Sequence, residues 1–324
     1  MPAPRSYRGR FAPSPTGELH FGSAATALIA WLSARARNGS FLLRVEDIDT
    51  PRVVRGMEER QLEDLRWLGL DWDEGPDVGG PHGPYRQSER HALYEAAIEE
   101  LARQGLVYYC DCSRAEIAKI ASAPHAGEEG PRYPRLCESY GLRNRRFKRP
   151  PAIRLRVPDD ATITIEDTLQ GAYTQHVGEC VGDFVLKRGD GVYAYQLAVV
   201  VDDHAMGVTE IVRGHDLLSS APRQALLAKL LYGKTVAFAH TPLVLGPTGE
   251  RLAKRDASLS LRFHREANTP PERFVATIAK RLGLIDEEVV AITPQELCRV
   301  FDRSRLRGRA TVRIAPDLVP AGNG

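Results

Sequence analysis

Arg8-Gly-Arg10-Phe11-Ala12-Pro13-Ser14-Pro-Thr-Gly-Glu-Leu-His20-Phe-Gly22-Ser23-Ala-Ala-Thr-Ala-Leu-Ile-Ala-Trp-Leu-Ser-Ala-Arg-Ala-Arg-Asn38-Gly39 is the stretch on which the fold turns. Residues 8–11 read as a short strand, and the proline-rich segment 13–17 reads as a turn. The apolar run 22–37 reads as a helix stopped by Asn38-Gly39. Residues 41–45 alternate like a second strand. A strand, a helix and a strand in succession predict a parallel α/β sheet.

Working outward, Thr50-Pro51 fits an N-cap and first helical position. Residues 88–101 read as an amphipathic helix ended by Gly105. The pattern then breaks. Residues 110–150 hold Cys, Pro, Gly, Tyr and many Arg with little periodicity, and 152–188 read as short strands with turns. Strand–helix alternation returns with a strand at 193–201 and a helix at 220–231 stopped by Gly233. The stretch 259–324 reads as mostly helical, with Pro270-Pro271 starting a helix. The expected organisation is an α/β domain split over 1–109 and 190–258, an insertion at 110–189, and a C-terminal helical region at 259–324.

The 324 residues allow about two domains. Apolar residues make up 43% and charged residues 27%, and the net charge is +2, so local rather than total charge must select partners. No apolar run approaches the roughly 20 residues that span a bilayer, and residues 1–10 lack a hydrophobic signal region. A cytoplasmic chain with no membrane partner is expected. Five cysteines, an odd number, argue against a disulfide framework. Cys110, Cys112 and Cys137 cluster closely enough to suggest a metal site.

Two segments point to phosphate. His20-Phe-Gly22-Ser23 follows the first strand and opens a helix, whose N-terminus offers unpaired N–H groups and the positive dipole end. Gly22 permits close backbone approach, and His20 can donate to a phosphate oxygen. Gly246-Pro-Thr-Gly-Glu-Arg251-Leu-Ala-Lys254-Arg255 is a glycine-containing loop with three cations, suited to neutralising a polyphosphate. Alone, the first is equally a plain cap and the second a solvated basic loop. In this order and on these elements they resemble the paired signatures of class I aminoacyl-tRNA synthetases, although the second lacks the usual first Lys and the Ser. The retained Lys254 and His20 are the expected catalytic residues. His20, Gly22, Ser23, Arg251 and Lys254 are the expected ATP ligands, with Mg²⁺ accompanying ATP.

Five further segments sharpen the resemblance: Arg10-Phe-Ala-Pro-Ser14, Arg44-Val-Glu46-Asp-Ile-Asp49, Asp183-Phe-Val-Leu186, Tyr193-Ala-Tyr195 through Asp202-Asp203-His204, and Val212-Arg213-Gly-His-Asp216. Each is similar to a segment of the glutamyl-tRNA synthetases, over about residues 8–258. The resemblance implies an α/β fold built on a Rossmann-like parallel sheet, with an inserted zinc-containing subdomain and a small C-terminal helical region. Free glutamate carries an ammonium and two carboxylates, so its pocket needs a carboxylate and guanidinium groups. Glu46 suits the ammonium, Arg10 and Arg213 suit the carboxylates, and Tyr195 and Ser14 can add hydroxyl contacts. Phe11, Ala12 and Pro13 complete the expected glutamate-binding segment. Structural salt bridges are the alternative for each charged residue, and local capping is the alternative for Asp202 and Asp203.

Three cysteines supply three of the four ligands of a structural zinc site. Coordination chemistry favours His125 as the fourth. The resemblance points instead to Tyr133, giving Cys110, Cys112, Tyr133 and Cys137. Free thiols are the alternative. Cys180 and Cys298 read as small hydrophobes.

Two basic stretches are candidates for RNA contact or for a solvated face: Arg143, Arg145, Arg146, Lys148, Arg149, Arg154 and Arg156, and then Arg303, Arg305, Arg307, Arg309 and Arg313. Only 70 residues follow Lys254, leaving no expected anticodon-binding domain. A short chain with Cys-X-Cys and Tyr-X-X-X-Cys resembles the glutamyl-queuosine tRNA(Asp) synthetases. That resemblance implies a monomer whose substrates are L-glutamate, ATP and tRNA(Asp) carrying queuosine. A short enzyme charging a tRNA 3′ end and a catalytically silent RNA-binding paralogue are the rivals.

Overall fold

In a computed structural model the chain is described over residues 6–113, 115–117, 132–250 and 260–314. Strand β1 (Arg8–Phe11) and strand β2 (Ser40–Leu43) pair in parallel, from Arg8 opposite Ser40 to Phe11 opposite Leu43. Helix α1 (Phe21–Arg35) joins them. Ala24, Ala25, Ala27, Leu28, Ile29, Ala30 and Leu32 are all buried, so α1 runs through the core and its sequence is apolar all round. The stop is local chemistry. Asn38 takes the left-handed region with φ 50°, and a Cβ at Gly39 would lie 2.5 Å from the Tyr7 carbonyl oxygen.

Helices α2 (Met57–Trp67) and α3 (His91–Arg103) follow. Strands β3 (Val107–Cys110), β4 (Ala152–Leu155) and β7 (Val185–Lys187) form a small antiparallel sheet in the order β3-β4-β7. Strand β5 (Thr162–Asp167) and strand β6 (Gly171–His176) make a hairpin whose β5 edge bridges in parallel to strand β9 (Ala237–Thr241) at Asp167 and Phe238. Strand β8 (Glu210–Gly214) pairs in parallel with β9, and the Thr209 amide, just before β8, donates to the Arg8 carbonyl at 2.9 Å. Strands β2, β1, β8 and β9 therefore lie side by side. The short helix α4 (Val177–Cys180) closes the hairpin region.

Residues 195–205 are a helix, α5 (Tyr195–Ala205), where the sequence reading placed a strand. The β-branched run Val199-Val-Val favours a strand in isolation. Tertiary charge pairing overrides it. Consecutive strand residues face opposite ways, whereas Asp202 and Asp203 on a helix both reach one buried group of arginines. They are not caps of local structure.

Helix α6 (Ala221–Tyr232) ends at Gly233, in the left-handed region with φ 67°. Strand β10 (Leu243–Leu245) pairs in parallel with strand β11 (Thr311–Arg313). Helices α7 (Leu261–Glu266), α8 (Pro271–Arg281) and α9 (Pro294–Val300) complete the described chain, α9 starting with a Thr293–Glu296 capping box. Phe274, Ile278, Leu282 and Leu297 share a core with α1, and the Phe21 and Phe274 rings meet edge-on at 5.6 Å. The C-terminal segment is thus packed onto the helix that opens the site. No helix among the described residues is long and apolar enough to cross a membrane.

Candidate active site

The carboxyl ends of β1 and β8, the loop between β1 and α1, and the start of α5 enclose a cavity of about 750 Å³. In open parallel sheets this edge is where ligands bind. Arg10, Phe11, Ala12, Pro13, Ser14, His20, Gly22, Ser23, Glu46, Tyr195 and Arg213, expected from the sequence, all line it. Arg251, Lys254 and His125 lie outside the described residues. The Gln61 amide donates to the carbonyls of Ser14 (3.1 Å) and Gly17 (2.7 Å), and the Glu46 amide donates to the Pro13 carbonyl, so the loop is held from two sides. His20 occupies the N-cap position of α1, and no acidic residue sits in the first turn of that helix. A Cβ at Gly22 would meet only Val244, at an ordinary 3.7 Å. Among the described residues nothing demands glycine there.

The charges behind the cavity are arranged unevenly. Asp202 is fully buried and accepts from Arg90 Nε (2.6 Å), Gln87 Nε2 (2.8 Å) and the Tyr94 hydroxyl (2.9 Å). Asp203 accepts from Arg44 Nη1 at 2.7 Å and Arg10 Nε at 3.3 Å. Arg44 also donates to Glu46 Oε1 at 3.1 Å, and Arg10 to the Val212 carbonyl at 3.0 Å. Burial lifts the Glu46 carboxyl above its ordinary range, against the pull of Arg44 and Arg10. Burial acts likewise on Asp203, but Arg44 and Arg10 outweigh it and its carboxyl stays below the ordinary range.

Arg213 differs from the other arginines of the site. Its Nε donates to His240 Nε2 (2.9 Å), its Nη1 to Gln224 Oε1 (2.6 Å) and its Nη2 to the Leu217 carbonyl (3.2 Å). All three acceptors are neutral or lone-pair groups. Among the described residues no carboxylate lies within ion-pair distance of it. Burial pulls its guanidinium below the ordinary value, with Arg10 adding to the fall and Tyr195 and Asp203 opposing it. A buried cation without a counter-ion is costly unless a ligand anion supplies one. His240, Gln224 and Asp167 did not emerge from the sequence. The only signals were an isolated His before Thr-Pro and a Gln inside a helix.

The cysteine cluster is assembled as expected. The Cys110, Cys112 and Cys137 sulfurs all lie within 4.8 Å of one another, and Cys112 and Cys137 are 3.6 Å apart. The Tyr133 oxygen is 3.2 Å from Cys110 Sγ and 3.6 Å from Cys112 Sγ. Sulfurs bound tetrahedrally at ~2.3 Å stand a little under 4 Å apart, so this donor set fits zinc. A second cavity, of about 850 Å³, shares Ser14, Thr16, Glu46 and Tyr195 with the first and extends to Cys112, Arg154 and Arg188.

The basic stretches are largely committed to internal contacts. Arg145 pairs with Asp111 (2.6 Å), Arg156 with Glu138 (3.3 Å), Lys148 and Arg149 with Glu116, and Arg154 lies over the Tyr133 ring. Arg303 pairs with Glu210 at 2.8 Å, Arg305 donates to the Gly283 and Leu284 carbonyls, and Arg309 to the Leu282 carbonyl.

A parallel sheet whose carboxyl edge, a helix N-terminus and buried arginines converge on one cavity is the layout of a class I aminoacyl-tRNA synthetase catalytic domain. The family described as "tRNA synthetases class I (E and Q), catalytic domain" matches residues 6–317. The chain belongs to that family, with its mixed α/β fold. It is 50% identical, over 98% of each chain, to a protein of Symbiobacterium thermophilum named "Glutamyl-Q tRNA(Asp) synthetase". It is 49% identical to one of the same name from Nitratidesulfovibrio vulgaris, over 96% of this chain and 97% of that one. A "Glutamate--tRNA ligase" of Desulforamulus reducens is 43% identical over 85% of this chain and 58% of its own length. Among solved structures, a glutamate tRNA ligase from Elizabethkingia meningosepticum in complex with its amino acid superposes with a TM-score of 0.80 at 29% identity, over 97% of this chain and 68% of that one.

Proposed function

We propose that this chain activates L-glutamate with ATP and transfers the glutamyl group to the queuosine base of tRNA(Asp). The end-to-end similarity to the Glutamyl-Q tRNA(Asp) synthetases carries this reading, exceeding the identity to the glutamate–tRNA ligases. In the pocket, Glu46 receives the ammonium, Arg10 the α-carboxylate, and Arg213 with Tyr195 the side-chain carboxylate. Ser14 adds a hydroxyl contact, and Phe11, Ala12 and Pro13 shape the wall. The missing counter-ion of Arg213 supports this assignment, since glutamate brings the negative charge that glutamine lacks. His20, Gly22 and Ser23 at the start of α1 receive ATP phosphates together with Arg251 and Lys254, and the glycine at position 22, whose Cβ would meet only Val244 among the described residues, supports close approach there.

An α-carboxylate oxygen of glutamate forms a bond to the α-phosphorus while the bond to the bridging oxygen of pyrophosphate breaks. A hydroxyl of the cyclopentenediol then takes the acyl group, and AMP leaves. No protein nucleophile is needed. Positioning and charge neutralisation lower the barrier, and Mg²⁺ shields the phosphates. The second cavity opens from the pocket toward the cysteine cluster and suits the incoming base. Cys110, Cys112, Tyr133 and Cys137 hold one structural zinc in the insertion at 110–189. The split 1–109 and 190–258 forms the catalytic domain, 259–324 supports it, and the protein acts as a monomer in the cytoplasm.

Transfer of labelled glutamate onto tRNA(Asp) with and without queuosine tests the reading. Label is expected only on the queuosine-containing tRNA, and prior periodate cleavage of the cyclopentenediol abolishes it. Equal labelling of tRNA lacking queuosine would favour the 3′-end rival and overturn the acceptor assignment.

A further inference from the structure

Asp167 and His240 lie behind Arg213, out of reach of the cavity, at the point where β5 bridges to β9. Both side chains are fully buried. Asp167 accepts from the backbone amides of Leu169 (2.9 Å), Gln170 (2.8 Å) and His240 (3.0 Å). Its remaining contact is with His240 Nδ1, at 2.5 Å. The His240 ring lies opposite Arg213 in the β8–β9 register and meets Arg213 Nε at 2.9 Å.

Hydrogen-bond logic leaves one arrangement. A guanidinium has only donors, so His240 Nε2 must offer a lone pair. The proton of a neutral ring then sits on Nδ1 and points at Asp167, an ionised carboxylate that only accepts. Both contacts select the same tautomer. Burial, with Arg213 and His215 nearby, pushes His240 down to about 4, so the ring stays neutral. Arg213 is therefore fixed at Nε by a group that takes a hydrogen bond without cancelling its charge. Gln224 acts alike at Nη1, its own amide held by Gln196 Oε1 at 2.6 Å. Arg10 and Arg44, by contrast, rest on carboxylates. Three of the five Arg213 N–H groups are used in this way, leaving one on each terminal nitrogen.

We infer that Asp167 and His240 are positioning residues for glutamate selection: Asp167 sets the His240 tautomer, and His240 aims Arg213 while leaving its positive charge uncompensated. This rests on the reading of Arg213 as the partner of the side-chain carboxylate. An ionised neighbour in place of His240 would orient Arg213 equally well but neutralise it, weakening the preference for glutamate over glutamine.

Asp167→Asn tests the inference. An Asn oxygen in the place of Oδ1 keeps the Leu169 and Gln170 amides and reaches the His240 amide at 3.2 Å, while its NH₂ takes the place of Oδ2, faces Nδ1 and drives the His240 proton to Nε2, against the Arg213 N–H. The KM for glutamate in ATP–pyrophosphate exchange is expected to rise roughly tenfold or more, with the KM for ATP unchanged and the preference over glutamine reduced. ¹⁵N spectra of the labelled imidazole should show Nδ1–H in the parent and Nε2–H in the variant. His240→Gln supplies an amide oxygen to Arg213, so glutamate KM should stay within a few-fold of the parent, and adding Asp167→Asn to it should change glutamate KM little. An Asp167→Asn protein that is folded with unchanged glutamate KM and discrimination would overturn the inference. Equal losses for ATP and glutamate with a lowered melting temperature would do the same, marking a purely structural pair. Arg213→Ala separates the two levels. If it spares glutamate binding, the pocket reading fails; if it abolishes binding while Asp167→Asn does not, only the positioning role fails.

Discussion

Replacing Arg213 by Ala tests the pocket most directly, because the structure predicts opposite outcomes for activity and for stability. Two Arg213 N–H groups remain for a substrate carboxylate, and each charge-assisted bond contributes about 1.5–3 kcal/mol. Losing both costs about 3–6 kcal/mol, or a fall of roughly 10²- to 10⁴-fold in kcat/KM for glutamate. The fold should hardly notice. No carboxylate is stranded, the acceptors left behind on His240, Gln224 and Leu217 are neutral, and removal of the Arg213 side chain extends the cavity toward them so that water can follow. The change in stability is expected to stay within about 1 kcal/mol. Glutamate-dependent ATP–pyrophosphate exchange measures the first quantity, and urea unfolding the second. Exchange kinetics unchanged from the parent would refute the assignment. So would a loss of activity that merely tracks a large loss of stability, since Arg213 would then be a structural member of the core.

Arg44→Met should behave in the reverse way: it strands Glu46, leaves Asp203 with Arg10 as its sole ion-pair partner among the described residues and weakens the environment of Asp202, so urea unfolding should report a loss of about 3–5 kcal/mol. Gly22→Ala should leave the melting temperature unchanged or slightly raised, because the helix gains and, among the described residues, only Val244 lies near, while the KM for ATP rises; an unchanged KM would remove Gly22 from the nucleotide site. Metal analysis of the purified protein should find one zinc per chain, and chelation or Cys112→Ser should lower the melting temperature; absence of metal would defeat the assignment. His240 titrates near 4 when folded and near 6.5 when unfolded, so the unfolded chain binds the extra proton first and this contribution, complete above pH 6.5, is lost as pH falls toward 4. Unfolding free energies at about pH 7.5 and about pH 5 should therefore differ by about 2 kcal/mol more in the parent than in His240→Gln; equal slopes would mean that the buried ring is not held neutral.

What could be read from the sequence follows the range of the forces involved. The β1 strand, the proline loop, α1 and its Asn38-Gly39 stop were legible because turn and cap chemistry acts within a few residues. Helix α5 was not, because its carboxylates answer to Arg44, Arg90 and Arg10, more than a hundred residues away in the chain. The two basic stretches were ambiguous for the same reason: Arg145 is committed to Asp111 and Arg303 to Glu210, pairings that composition cannot reveal. The cavity-lining residues were found because their segments resemble those of the glutamyl-tRNA synthetases, and the charges of glutamate and polyphosphate agree with the side chains those segments carry. The layer behind them was missed because Asp167, His240 and Gln224 act through Arg213 and are held by Gln196, nearby backbone amides and one another rather than by a ligand. Arg44 and Arg90, enclosed by carboxylates and other protein acceptors, hold the protein together; Arg10 lines the cavity but shares its charge with Asp203; Arg213, supported by neutral acceptors, keeps its charge whole for a ligand. The partners of each guanidinium, and not its residue type, set how much positive charge it offers to this pocket.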